Sequence, residues 1–223
     1  MERPEDYESL TILDISHKKL TELPLWISDC KKLKKLYCVH NCIKHLDNLP
    51  QTLKVLDCRK NQLINLDYLP TKLKTLYCQC NQITHLDKLP KTLKKLYCSD
   101  NRIIQLNNLP QTLEHLECYC NKITEINNLP QTLKYLDCLD NIIVQLDNLP
   151  RILKKLVCSN NQITQLDNLP PTLELLLCST NKITQLDNLP ETVNLLWCKQ
   201  NPFKYEFEPT LENIKNYNNQ NNK

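Results

Sequence analysis

Apolar residues return along this chain every 20 positions. Leu33, Leu53, Leu73, Leu93, Leu113, Leu133, Leu153, Leu173 and Val193 form one column, and Leu36 to Leu196, Cys38 to Cys198 and Asn41 to Asn201 keep the same step. Ile43, Leu63, Ile83, Ile103, Ile123, Ile143, Ile163 and Ile183 follow it too. The unit reads L-x-x-L-x-C-x-x-N-x-I-x-x-L-D-N-L-P-x-T. A unit this short holds one strand and a return segment and cannot bury its apolar side alone, so its neighbours must stack against it. The pattern predicts a repeat solenoid.

Within each unit the strand falls around L-x-C. Alternation sends Leu36 and Cys38 inward and turns Tyr37 outward, and the same holds in every later unit. Parallel strands about 4.8 Å apart predict a ladder of about nine or ten strands, roughly 45 Å long. The Asn column fits a buried turn, because an amide carries both donors and an acceptor for backbone groups freed where the strand ends. Pro50, Pro70 and their successors to Pro190 fix φ and disfavour helix before them, so the outer side should be extended or polyproline-like.

The ends depart from the unit. The first step, from Leu10 to Leu33, is 23 residues, with Lys18 in the Asn position and an apolar Leu25-Trp26-Ile27 segment. Residues 1–32 are expected to form an amino-terminal cap with the first, longer repeat, and residues 33–203 the 20-residue repeats. Leu211, Ile214 and Tyr217 sit at helical spacing ahead of an Asn-rich tail, so residues 204–223 should be a capping helix followed by disorder.

Composition narrows the chemistry. The chain has no Gly and no Ala, which excludes phosphate-cradling loops, dinucleotide fingerprints and the nucleophile elbow, since each requires Gly. A net charge of +3 marks neither a nucleic-acid nor a membrane binder. Acidic residues near Met1 oppose a signal peptide, no apolar run is long enough to span a bilayer, and no Asn-x-Ser/Thr triplet occurs. With thirteen Cys, an odd number, these features predict an intracellular, reducing location.

The segment L-x-x-L-x-C-x-x-N-x-I, from Leu33 to Ile43 and eight times after, resembles the defining segment of the leucine-rich-repeat family. The 20-residue unit with Leu49-Pro50 and Leu69-Pro70 is similar to the bacterial-effector subclass, and the Asn/Lys/Ile-rich style resembles repeat proteins of mimivirus-like giant viruses, which would place the chain in a host cytoplasm. The resemblance implies a horseshoe with a parallel β-sheet on its concave face, extended convex segments and little helix, binding proteins on the strand face. Cys stands where the family usually has Leu. No ubiquitin-ligase domain of the effector kind is expected, because about 20 residues follow the last repeat.

The outward column Tyr37, Asp57, Tyr77, Tyr97, Glu117, Asp137, Val157, Leu177 and Trp197 is the candidate partner-binding surface, joined late in the chain by Leu139, Leu175 and Leu195. An apolar patch rimmed by polar groups marks an interaction surface, and Tyr and Trp are favoured anchors. The bland alternatives are that these residues only pair across strands, or that the carboxy-terminal cap covers Trp197. The Cys column reads as small core hydrophobes. Cys80 and Cys120, exposed and two repeats apart, would lie about 10 Å from each other, too far to share one tetrahedral metal.

Lys34, Lys54, Lys74, Lys94, Lys134 and Lys154 adjoin the face and could engage a polyanion or nucleic acid, or else form a solvated edge that keeps the sheet soluble. The expectation is a non-catalytic interaction scaffold with a protein partner, with no catalytic residue, metal, cofactor or membrane. Binding of a polyanion or nucleic acid, or a thiol-dependent activity, stands as the alternative, and the oligomeric state is left open.

Overall fold

A computed structural model describes residues 2–221 of the chain. Ten three-residue strands follow one another: β1 Ile12–Asp14, β2 Lys35–Tyr37, β3 Val55–Asp57, β4 Thr75–Tyr77, β5 Lys95–Tyr97, β6 His115–Glu117, β7 Tyr135–Asp137, β8 Lys155–Val157, β9 Leu175–Leu177 and β10 Leu195–Trp197. A single α-helix among the described residues, α1 Leu211–Asn221, closes the series. The strands form one sheet in chain order, and every neighbouring pair is parallel.

The 20-residue step sets the register. Leu36 pairs with Leu56 and Leu56 with Leu76, so identical positions fall side by side along the stack. Only the first pair differs, Leu13 opposite Leu36, and a 3₁₀ turn at Leu25–Asp29 takes up the three extra residues. Behind the sheet, the columns of Leu33, Leu36, Cys38 and Ile43 and most of their successors are fully buried in one continuous core. Each buried Leu or Ile contributes roughly 1.5–3 kcal/mol, and because the columns are unbroken, no repeat is stable without its neighbours.

Hydrogen bonds tie each turn to the one before it. Asn61 Nδ2 donates to the carbonyl of Cys58 in its own turn and of Cys38 in the preceding one, while Asn61 Oδ1 accepts from Ile43 N–H. The same triplet repeats from Asn81 to Asn201. On the return side the N–H three residues after each Pro bonds back to the Pro carbonyl, as Leu53 does to Pro50. The position before it, Thr in most units, donates its hydroxyl to carbonyls of the preceding turn, as Thr92 does to Leu73 at 2.8 Å. No α-helix interrupts the returns between β1 and β10, because the turns after Pro lead directly into the next strand.

At the amino terminus, Tyr7, Leu10, Leu20 and Trp26 pack against the core, while Ile27 is buried. At the other end Ile214 of α1 is fully buried, and two cap side chains saturate one residue of the last return: Leu186 N–H donates to Tyr205 Oη, and Asn218 Nδ2 donates to the Leu186 carbonyl. That second bond explains why α1 runs on through the Asn-rich segment to Asn221, where the composition had suggested a disordered tail. Residues 222–223 of that expected tail lie outside the described residues.

Candidate functional site

Three outward columns make the strand face, one residue before the inward Leu, one between Leu and Cys, and one after Cys. The middle column holds Tyr37, Asp57, Tyr77, Tyr97, Glu117, Asp137, Val157, Leu177 and Trp197 in lateral register. Its character changes along the stack.

At the early end, Tyr77 and Tyr97 stack with ring centroids 4.5 Å apart. The stack then crosses to the first column, with Tyr97 4.9 Å from His115 and His115 4.3 Å from Tyr135 in a parallel overlap. His115 Nε2 donates to Glu117 Oε1 at 2.8 Å. Offset stacking of this kind holds four rings in a rigid row. Tyr37 stands apart from it, because Asp57 intervenes.

Asp57 does not join the accessible set. It is 3% exposed and is closed by Arg59, whose Nε and Nη2 donate to the two carboxylate oxygens at 2.9 and 2.7 Å. The guanidinium also lies 5.4 Å from the Tyr77 ring centroid. Asp57 is therefore shielded from the outward surface by the bidentate pair, and the Arg59 side chain is the half-exposed member.

Glu117 and Asp137 are lateral neighbours, followed in the same column by Val157. Asp137 accepts the Leu139 N–H at 3.1 Å, and burial, with a smaller push from Glu117, raises its carboxyl to about 6. Tyr135 beside it is raised to about 12 by burial first and by Asp137 next. This middle segment is acidic and half-dehydrated.

Val157, Leu175 and Leu177 are half-buried at the late end, while Leu195 is 42% and Trp197 63% exposed on the last strand. The cap packs beneath the last turn through Ile214 and leaves Trp197 uncovered. A cleft of about 790 Å³ opens between β10 and residues 208–211, with Trp197, Leu196, Pro209 and Leu211 on its walls.

Four residues of the face escaped the sequence reading: Arg59, His115, Tyr119 and Tyr135. Each sits two residues from a member of the middle column, so the same alternation that found Tyr37 would have found them had all three outward columns been followed.

The Lys column is partly neutralised by its own interruptions. Glu114 bridges Lys94 at 2.9 Å and Lys134 at 3.1 Å, and Glu174 pairs with Lys154 at 2.8 Å. The thiols offer little nucleophilic chemistry. All thirteen are free. Burial raises the ladder thiols far above the ordinary range, with Cys38 at about 12. Cys120 is held at about 11 by burial and by the Asp100 and Asp140 carboxylates. A thiolate is the reactive form, so carboxylate neighbours suppress it. Among the described residues no group of three or more His, Cys, Asp or Glu is placed to hold a metal ion, and no helix is long and apolar enough to cross a membrane.

Comparison with known proteins agrees with this architecture. The FNIP repeat model matches residues 101–137. Among solved structures, YopM from Yersinia enterocolitica WA-314 is 31% identical with a TM-score of 0.57, over 87% of this chain and 52% of that one. YopM from Yersinia pestis, a leucine-rich effector protein, is 26% identical with a TM-score of 0.71, over 85% of this chain and 65% of that one. The functional domain of InlJ from Listeria monocytogenes, which includes a cysteine ladder, is 27% identical with a TM-score of 0.64, over 91% of this chain and 56% of that one.

The chain thus spans between about half and two thirds of the length of these relatives. No curated protein sequence matches it. The fold is a leucine-rich-repeat solenoid, with its parallel strands on the concave side and extended segments on the convex side.

Proposed function

We propose that this chain is a non-catalytic scaffold that docks a partner protein on its strand face. The observation that carries the reading is the exposure of Trp197 and Leu195 beside Leu175 and Leu177, an apolar patch that the cap leaves open. Such a patch, rimmed by polar groups and anchored by Trp, is a surface built to be covered. The contact set is Tyr37, Tyr77, Tyr97, Glu117, Asp137, Leu139, Val157, Leu175, Leu177, Leu195 and Trp197. The rigid aromatic row supplies a second anchor at little conformational cost.

In this reading residues 33–203 carry the binding surface, and residues 1–32 and 204–223 cap the two ends of the core. The thirteen free thiols support an intracellular, reducing location, and the resemblance to giant-virus repeat proteins would make that a host cytoplasm. Polyanion binding is less well supported, since Glu114 and Glu174 occupy three of the six column lysines.

The test is capture from a host lysate by the wild type and by the Tyr77→Ser, Trp197→Ser double variant, with circular dichroism confirming that both are folded. Proteins retained by the wild type and lost from the variant are expected. An unchanged set, or nucleic acid released by salt from both, would overturn the reading.

A further inference from the structure

Asp57 and Asp137 occupy the same position of units four apart, and in both the N–H two residues on bonds to the carboxylate, from Arg59 at 3.3 Å and from Leu139 at 3.1 Å. Beyond that shared bond the two sites diverge. Asp57 is completed by the Arg59 side chain, bidentate at 2.9 and 2.7 Å with its guanidinium over Tyr77. Leu139 stands where Arg59 would be, and no Lys or Arg among the described residues forms an ion pair with Asp137.

The surroundings of Asp137 are nevertheless those of a cation site. Glu117 lies beside it in the column, and the nearby phenols of Tyr119 and Tyr135 feel the charge of both carboxylates. His115 is the neighbouring base, and it is committed to Glu117. A dehydrated carboxylate without a countercharge is costly, and bidentate arginine is the most favourable group to relieve it. Arginine also stacks on aromatic rings, which the row ending at Tyr135 provides.

We propose that the cup formed by Glu117, Tyr119, Tyr135, Asp137 and Leu139 receives an arginine side chain presented by the docked partner protein. The chain displays the geometry of that contact in cis, at Asp57 and Arg59. The inference rests on the docking reading above and gives it a chemistry, with Trp197 as the apolar anchor and Asp137 as the polar one.

The test uses the full-length chain, titrated with N-acetyl-arginine methylamide while the Tyr119 and Tyr135 ring resonances are followed by NMR. Saturable shifts at millimolar concentration are expected. The citrulline analogue, which keeps the shape and loses the charge, should bind at least tenfold more weakly, and the lysine analogue several-fold more weakly. Asp137→Asn should abolish the response. Leu139→Arg should also abolish it, because the internal guanidinium would fill the cup as Arg59 fills its own, and circular dichroism would confirm both variants folded.

No saturable shift in the wild type, equal responses to all three analogues, or undiminished binding by either folded variant would overturn the proposal. If the wild type ignores arginine but still captures a partner through Tyr77 and Trp197, this inference fails while the docking reading stands.

Discussion

Asn141 Nδ2 donates to the Cys118 carbonyl at 3.0 Å, joining residues 23 positions apart across two turns of the solenoid. The same amide donates to the Cys138 and Leu139 carbonyls and accepts from Ile123 N–H, so one side chain serves four backbone groups while only 7% exposed. Replacing it by Ala strands the Cys118, Cys138 and Ile123 groups in the interior. Asn141→Ala is expected to lower stability by about 2–4 kcal/mol in chemical denaturation. A loss within error would show that the Asn ladder is ornamental.

The return side offers the opposite experiment. Thr132 Oγ1 donates to the carbonyls of Gln111 and Leu113, and Thr172 does the same to Arg151 and Leu153. Between them the position is Ile152, 43% exposed and unable to donate. Ile152→Thr is expected to restore the bond to Leu133 and raise stability by about 0.5–1.5 kcal/mol. The comparison of thermal midpoints with wild type decides it, and a lower midpoint would contradict the role given to the Thr column.

Much of this architecture is legible in the sequence because stacking converts a period into a register. Leu36 and Leu56 must be neighbours once the step is 20, and the amide chemistry of Asn61 then has only strand-end backbone to serve. What the column pattern conceals is contact between columns. The ring row passes from Tyr97 to His115 and Tyr135 by changing columns, and Arg59 reaches back to Asp57 over a two-residue step; both depend on side-chain direction more than on spacing.

Backbone conformation is hidden for another reason. Seventeen non-Gly residues take positive φ among the described residues, including Lys60 at 54°, Tyr68 at 67° and Thr180 at 54°. A chain without Gly suggests no such turns, yet the repeat enforces them at equivalent positions, and only the Asn and Asp members, such as Asn108, Asn148 and Asp140, announce themselves by type.

Asp137 should make the fold sensitive to pH in a defined direction. Its folded carboxyl, raised by burial to about 6, exceeds the ordinary value of about 3.9, so the folded chain takes up a proton between those limits. Stability from this group is therefore present below about pH 4, declines as pH rises through about 6, and stays lost above it. Asp137→Asn is expected to be more stable than wild type at pH 7 by about 1 kcal/mol after allowance for solvent screening, and to match it near pH 4. A variant less stable at pH 7 would mean that Asp137 has an internal countercharge.

Thiol accessibility separates the core ladder from the edge. Cys80 is exposed, Cys42 and Cys120 are intermediate, and the ten other cysteines are buried. A disulfide reagent at neutral pH is expected to modify Cys80 first in the native chain because it is the exposed thiol, although burial and Asp100 raise it too, Cys120 more slowly because burial and then two carboxylates, Asp100 and Asp140, oppose its thiolate, and all thirteen after denaturation. Rapid native labelling of Cys98 or Cys118 would contradict the packed Cys column.

The docking claim itself is tested most directly by hydroxyl-radical footprinting of the chain alone and with its captured partner. Tyr68, 77% exposed in a return segment, serves as the internal control for the convex side. Partner binding is expected to protect Trp197, Leu195 and Tyr77 while leaving Tyr68 unchanged. Protection of Tyr68 with Trp197 still fully reactive would place the partner on the opposite side and contradict a strand-face scaffold.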